Sequence, residues 1–195
     1  MVTRLFFLCL LALCTNVVVA QHHPGTSFGY ADSVNLGIIV SDTMKGSTHR
    51  ISTANIGAMH IHIEYGSPGV KGRIIWGGLV AMDRVWVTGA HNATWITFTK
   101  AVFWNGNPIP AGRYGFFTIP GKESWTVILN NKSEMHLADD YDSTEDVIRI
   151  NVKPVMLDKT VQRLSYIVKE SSNGKGSIIV QWDKLEISIP FQENK

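Results

Sequence analysis

Met59-His60-Ile61-His62-Ile63-Glu64-Tyr65 reads MHIHIEY over residues 59–65. Apolar and polar side chains alternate with a period of two, the period of a β-strand. On a strand, Ile61, Ile63 and Tyr65 share one face, while His60, His62 and Glu64 share the other. The first set is expected to be buried and the second to face water.

The same pattern recurs downstream. Thr94 to Thr99 alternates, with Ile96 and Phe98 on one side. Tyr114 to Ile119 and Trp125 to Leu129 are rich in aromatic and β-branched residues. Asp146 to Val152 alternates and stops before Pro154, and Leu164 to Val168, Ser177 to Trp182 and Leu185 to Ile189 repeat the pattern, the last ending at Pro190. Turn signals separate these runs: Asn105-Gly106-Asn107-Pro108, Pro110-Ala111-Gly112, Pro120-Gly121-Lys122, Asn130-Asn131 and Ser172-Asn173-Gly174. Phe103 to Asn107 predicts a tight hairpin. Lys132 to Glu145 predicts a long loop with a helical turn, and no amphipathic helix of ten or more residues stands out. Short strands at this spacing predict an all-β fold with little helix: a single antiparallel β-sandwich, jelly-roll or Greek-key-like, over residues 35–195.

The first residues read differently. MVTRLFFLCLLALCTNVVVAQ holds one charge, Arg4, then an apolar run from Leu5 to Cys14, then Val18-Val19-Ala20 before Gln21. This predicts a secretory signal peptide over residues 1–20. As a membrane anchor the run is broken by Thr15 and Asn16 and falls short of the roughly 20 apolar residues a span needs. No comparable run follows, so the mature chain is expected to carry no transmembrane span. Export to the periplasm, the cell surface or the extracellular space is the corresponding expectation. Residues 21–34, with His22-His23, read as a flexible N-terminal arm.

Both cysteines, Cys9 and Cys14, fall inside the expected signal. A cysteine-free mature chain excludes disulfides, thiolate catalysis and Cys-type zinc sites. Of 195 residues, 45% are apolar and 17% charged, the balance of a globular domain with a core. The 18 basic and 16 acidic residues give a net charge of +2 with no Lys/Arg block, so nucleic acid is not an expected partner.

From Ile63 onward longer words stand out. They include Ser67 to Arg73, Trp76-Gly77-Gly78-Leu79-Val80, Thr88-Gly89-Ala90, Pro110 to Tyr114, Phe117 to Pro120, Trp125 to Ile128, His136 to Tyr141, Val147-Ile148-Arg149 and Trp182-Asp183-Lys184. Together they resemble the domain of unknown function 2911, a family of secreted proteins of Bacteroidota and relatives. The resemblance implies an exported, β-rich domain with no established activity. Many members carry Arg where this chain has Ser67, and Asn-Glu where it has His91-Asn92. An acid role for that Glu has no residue to fall on here.

Four groups are candidates for chemistry. His60 and His62, at i and i+2, leave one strand face close together and could share a divalent metal. Glu64 lies roughly 13 Å from His60 along a strand, at about 3.3 Å per residue, so a third ligand must come from elsewhere, with His91 and His136 as candidates. The competing reading is the wet side of a sheet. Lys71 and Arg73 flank Gly72 beside Trp76-Gly77-Gly78 and suit a carboxylate or phosphate; read plainly, they are exposed cations in a tight connection. His91 is a general-base candidate at the entrance to a strand, or only a loop histidine beside Asn92. His136, Asp139, Asp140 and Tyr141 crowd one loop. There His136 is a ligand or a base oriented by an aspartate; alternatively Asp139 caps a helical turn and Tyr141 packs on the sandwich. No Gly-x-Ser-x-Gly elbow is present.

Two functions stand open. One is a module that binds a small molecule, glycan or anion through Lys71, Arg73, Trp76, His91, His136 and Tyr141. The other is a metal-dependent or general acid/base enzyme, hydrolase-like, built on His60, His62, His91, His136 and Asp139. A divalent metal is the cofactor these histidines would suit; the sequence identifies none.

Overall fold

The computed structural model describes residues 29–172 and 174–194. The expected signal peptide, and the expected arm as far as residue 28 with His22-His23, lie outside the described residues. The chain opens with a short helix, α1 (Tyr30–Asn35), followed by β1 (Thr48–Ile56), β2 (Met59–Ser67), β3 (Trp95–Phe98), β4 (Val102–Trp104) and β5 (Asn107–Ile109). Then come β6 (Gly112–Ile119), β7 (Trp125–Asn130), β8 (Asp146–Val152), β9 (Val155–Ser172) and β10 (Lys175–Glu193).

The strands form two antiparallel sheets. One has the order β1-β2-β3-β6-β7-β8, the other β5-β4-β10-β9. They pack face to face as an all-β sandwich. MHIHIEY is most of β2, and Ile61, Ile63 and Tyr65 are buried in the core as the alternation predicts. Facing them from the other sheet are Leu164, Ile178, Val180, Trp182, Ile187 and Ile189. Each fully buried aliphatic or aromatic side chain contributes about 1.5–3 kcal/mol. Asn105 and Gly106, at φ 47° and 80°, form the two-residue turn between β4 and β5. That is the left-handed pair a tight hairpin requires.

Three elements differ from the reading of the sequence. The runs at 177–182 and 185–189 are one strand, interrupted where Asp183, at φ 53°, shifts the register against β9. Gln181 to Leu185 runs opposite Ser165 to Met156, so the surplus residues lie on β9, which bulges there while both strands continue. Nor does Pro190 end it. β10 pairs with β9 as far as Glu186 and with β4 from Phe191, so Pro190 falls between the two ladders, where its missing N–H is not needed. At the other end, Tyr30 to Val34 of the expected arm belong to α1, with Ala31 and Val34 buried.

The outer face of the first sheet positions the site. On β6 and β7, Phe117 and Ile128 are apolar on that outer side as well, and two loops cover them with Val87, Ala93 and Met135. The loops are tied together by Ala93 N–H to the Met135 carbonyl at 2.9 Å and Leu137 N–H to the His91 carbonyl at 2.6 Å. The cover stops at β3. Beyond it the outer face of β2 and β1 is polar apart from the exposed Ile51, and the edge of the cover makes one wall of a trough.

Candidate functional site

β1 brings His49 to β2, because the hairpin register sets Ile51 opposite Glu64 and His49 opposite Gly66. His49 Nε2 lies 2.7 Å from Glu64 Oε1, and His62 Nε2 lies 3.6 Å from Glu64 Oε2. Glu64 therefore sits between two imidazoles. Partial burial alone would raise its pKa, but the hydrogen bond and charge of His49, then of His62, outweigh it and hold the carboxyl below the usual range.

Trp95 follows on β3. His62 stacks on its ring at 4.9 Å between centroids, and the Arg113 guanidinium lies 4.0 Å from the ring centroid. These partners come from β2 and β6, the two strands that flank β3. Arg113 also donates to Glu134 Oε1 at 3.1 Å. The indole thus carries both a stacked ring and a cation.

Three adjoining hollows make up the trough. The central one, about 170 Å³, is lined by Ser47, His49, Glu64, Ala90, His91, Asn92 and Trp95 among others. A second, about 360 Å³, shares Glu64, Asn92 and Trp95 and adds Arg113, Ser133 and Glu134. A third, about 390 Å³, shares Ser47, Ala90 and His91 and adds Lys71, Arg73, Pro68 and Leu79. Lys71 and His91 are held at φ 49° and 66°. Non-glycine residues pay for that conformation, and such strain concentrates at functional sites.

The structure thus gathers Lys71, Arg73 and His91 from two separately read motifs. His136 adjoins Asn92 through backbone pairing, with its imidazole exposed and Nδ1 3.6 Å from Asp139 Oδ2, so the pair sits on the surface. His60 turns away to Asn55 Oδ1 at 2.8 Å. Among the described residues no three of His, Cys, Asp and Glu are gathered so as to hold a metal ion. Trp76 lies elsewhere, packed edge-on against Trp86, Trp125 and Trp182 at 4.8–5.8 Å. Tyr141 packs on Phe117 at 5.1 Å and donates to both oxygens of Asp146. Asp142, not Asp139, caps the one-turn helix Ser143–Glu145 through Thr144 N–H.

His49, Asn92, Trp95, Arg113 and Glu134 were not read as site residues. β1 has polar residues on both faces, so it lacks the alternation that marked β2. The available signal was the turn at Gly57-Ala58, which requires a partner strand before MHIHIEY and puts His49 near Glu64.

Fold and trough together define an antiparallel β-sandwich with a polar surface trough at the edge of a loop-covered face. The chain belongs to the family described as a protein of unknown function, DUF2911, which it matches over residues 47–191. No curated protein and no solved structure matches it. No helix among the described residues is long and apolar enough to cross a membrane.

Proposed function

We propose that this is an exported bacterial ligand-binding module, of the Bacteroidota type, that takes a small polar ligand, a saccharide or an anion, in the trough on the outer face of the first sheet. One observation carries the reading. Groups from separate parts of the chain, Ser47, Glu64, Lys71, His91, Asn92 and Arg113, line one continuous depression, and two of them are held in a strained backbone. The N-terminal apolar run supports export to the periplasm or cell surface.

The test is a screen of neutral and charged sugars and small metabolites, read by thermal shift and by NMR of the trough amides. A ligand that perturbs Asn92 and Trp95, and that binds at least about tenfold more weakly to Arg113→Ala, supports the reading; that is the scale of one hydrogen bond to a charged group. A screen whose hits all map to other surfaces sinks it.

The contact between His49 and Glu64 favours a second reading, a general acid/base enzyme. A carboxylate that holds an imidazole in place is the arrangement of a base and its orienter. Turnover of the bound ligand that falls about a hundredfold in Glu64→Gln, with affinity unchanged, would establish it.

A further inference from the structure

The loop from Val87 to Asn92 reaches the trough at Ala90, His91 and Asn92, and four of its carbonyls are tied to other parts of the protein. The Val87 carbonyl accepts from Thr94 N–H at 3.3 Å, and the Thr88 carbonyl from the Tyr166 hydroxyl at 2.7 Å and the Thr94 hydroxyl at 3.1 Å. The Gly89 carbonyl accepts from the Trp86 indole at 3.1 Å, and the His91 carbonyl from Leu137 N–H at 2.6 Å. The backbone N–H groups of Val87 to Asn92 donate to no acceptor among the described residues.

In a trans peptide the C=O and the following N–H point in opposite directions. With the Gly89 and His91 carbonyls tied down, the N–H groups of Ala90 and Asn92 point away from the partners that hold those carbonyls. Both residues line the central hollow. Successive N–H groups around a left-handed residue, here His91 at φ 66°, form a concavity that attracts anions.

Cations stand beside it. Lys71 and Arg73 line the hollow that shares Ala90 and His91. Each has committed only part of its donors: Lys71 Nζ to the Met44 carbonyl, Arg73 Nε to the Val70 carbonyl and Nη2 to the Gly69 carbonyl. Arg73 Nη1 has no partner among the described residues. Glu64 lines the central hollow but not the one lined by Lys71 and Arg73, so its charge favours an anion on the Lys71 and Arg73 side.

We propose that this half of the trough is an oxyanion subsite: the carboxylate or phosphate of a small organic ligand sits against the Ala90 and Asn92 N–H groups, with Lys71 and Arg73 completing its shell. The hollow lined by Glu64, Arg113, Ser133 and Glu134 then receives the uncharged polar part of the ligand. This inference rests on the trough being the binding site.

Four probes test it on the full chain by titration calorimetry and amide NMR: glucuronate, glucose 6-phosphate, glucose and inorganic phosphate. The expected result is that at least one anionic probe shifts the Ala90 and Asn92 amides and binds roughly tenfold or more tightly than glucose. Arg73→Ala should weaken it by a similar factor, with Lys71→Ala as the second variant if the first fails to fold. Glucuronate alone binding marks a carboxylate ligand; glucose 6-phosphate or phosphate alone marks a phosphate. Glucose binding as tightly as the anions, anions that leave both amides unshifted, or affinity unchanged in both variants overturns the subsite. So does the absence of binding by every anionic probe. Any of these leaves the trough reading to its own screen, where neutral ligands count.

Discussion

Arg163 and Asp42 form a buried two-pronged ion pair: Arg163 Nε to Asp42 Oδ2 at 2.9 Å and Nη2 to Oδ1 at 2.8 Å. The Arg163 side chain is 0% exposed and Asp42 is 6% exposed. Arg163 Nη1 also donates to the Ser67 carbonyl at 3.1 Å, and Tyr30 donates to Asp42 at 3.0 Å. The pair staples the segment after α1 to β9 and to the end of β2. Removing one partner leaves a buried charge unmatched. Asp42→Ala should cost about 3–5 kcal/mol in urea denaturation.

The same pair sets an acid limit. Burial alone would raise the Asp42 pKa, but hydrogen bonds from Arg163 and Tyr30 and the guanidinium charge hold it below the usual range. A lowered carboxyl contributes stability above its unfolded pKa and loses it as pH falls through the folded value. The stability gap between wild type and Asp42→Asn should be constant near neutrality and narrow below about pH 4. A gap that stays constant down to pH 2 would contradict the assignment.

Tyr141 sets the corresponding alkaline limit. Burial, then the hydrogen bond and charge of Asp146, push its phenol up to about 12 against the opposing effect of Arg149. A raised pKa contributes stability that is complete below the unfolded value and is lost as pH rises through the folded one. Thermal melts of wild type and Tyr141→Phe should differ by a constant amount to about pH 9.5 and converge toward pH 12.

His91→Gly should separate stability from binding. The imidazole makes no hydrogen bond with a described residue, and its backbone is left-handed. Glycine removes that strain, offset in part by its greater freedom when unfolded, for a net gain of about 0.5–1 kcal/mol. The melting temperature should rise by about 1–4 °C, while ligand affinity in the trough falls.

Gly66→Ala probes the loop from the opposite side. A Cβ at Gly66 would stand 2.2 Å from the Ala90 carbonyl oxygen, a backbone atom that cannot rotate aside. The loop over 87–92 must move, at about 1–3 kcal/mol. Ligand binding should weaken, since Gly66 also lines the central hollow, and amide shifts should concentrate at Ala90 to Asn92.

Much of the sandwich is legible locally. Ile61, Ile63 and Tyr65 were marked as core by alternation alone, and the Asn105-Gly106 turn by its two residues, because a strand face and a tight turn are properties of neighbours in sequence. Lys71, Arg73 and His91 were legible as candidates for the same reason, as cations and an imidazole among turn residues. Trp76 and Tyr141 looked equivalent to them, and the fold placed one in a cluster of tryptophans and the other on Asp146.

Alternation within residues 59–65 is enough to put His62 and Glu64 on the wet face of a strand and to show a chain built from such strands. That His49 flanks Glu64, that Arg113 covers Trp95 and that Ala90 and His91 stand beside Lys71 and Arg73 follows from the folded assembly alone. These partners are far apart along the chain. Periodicity reports which way a side chain leaves its own strand, whereas neighbours across strands follow from hairpin register, sheet order and the covering of Phe117 and Ile128 by distant loops.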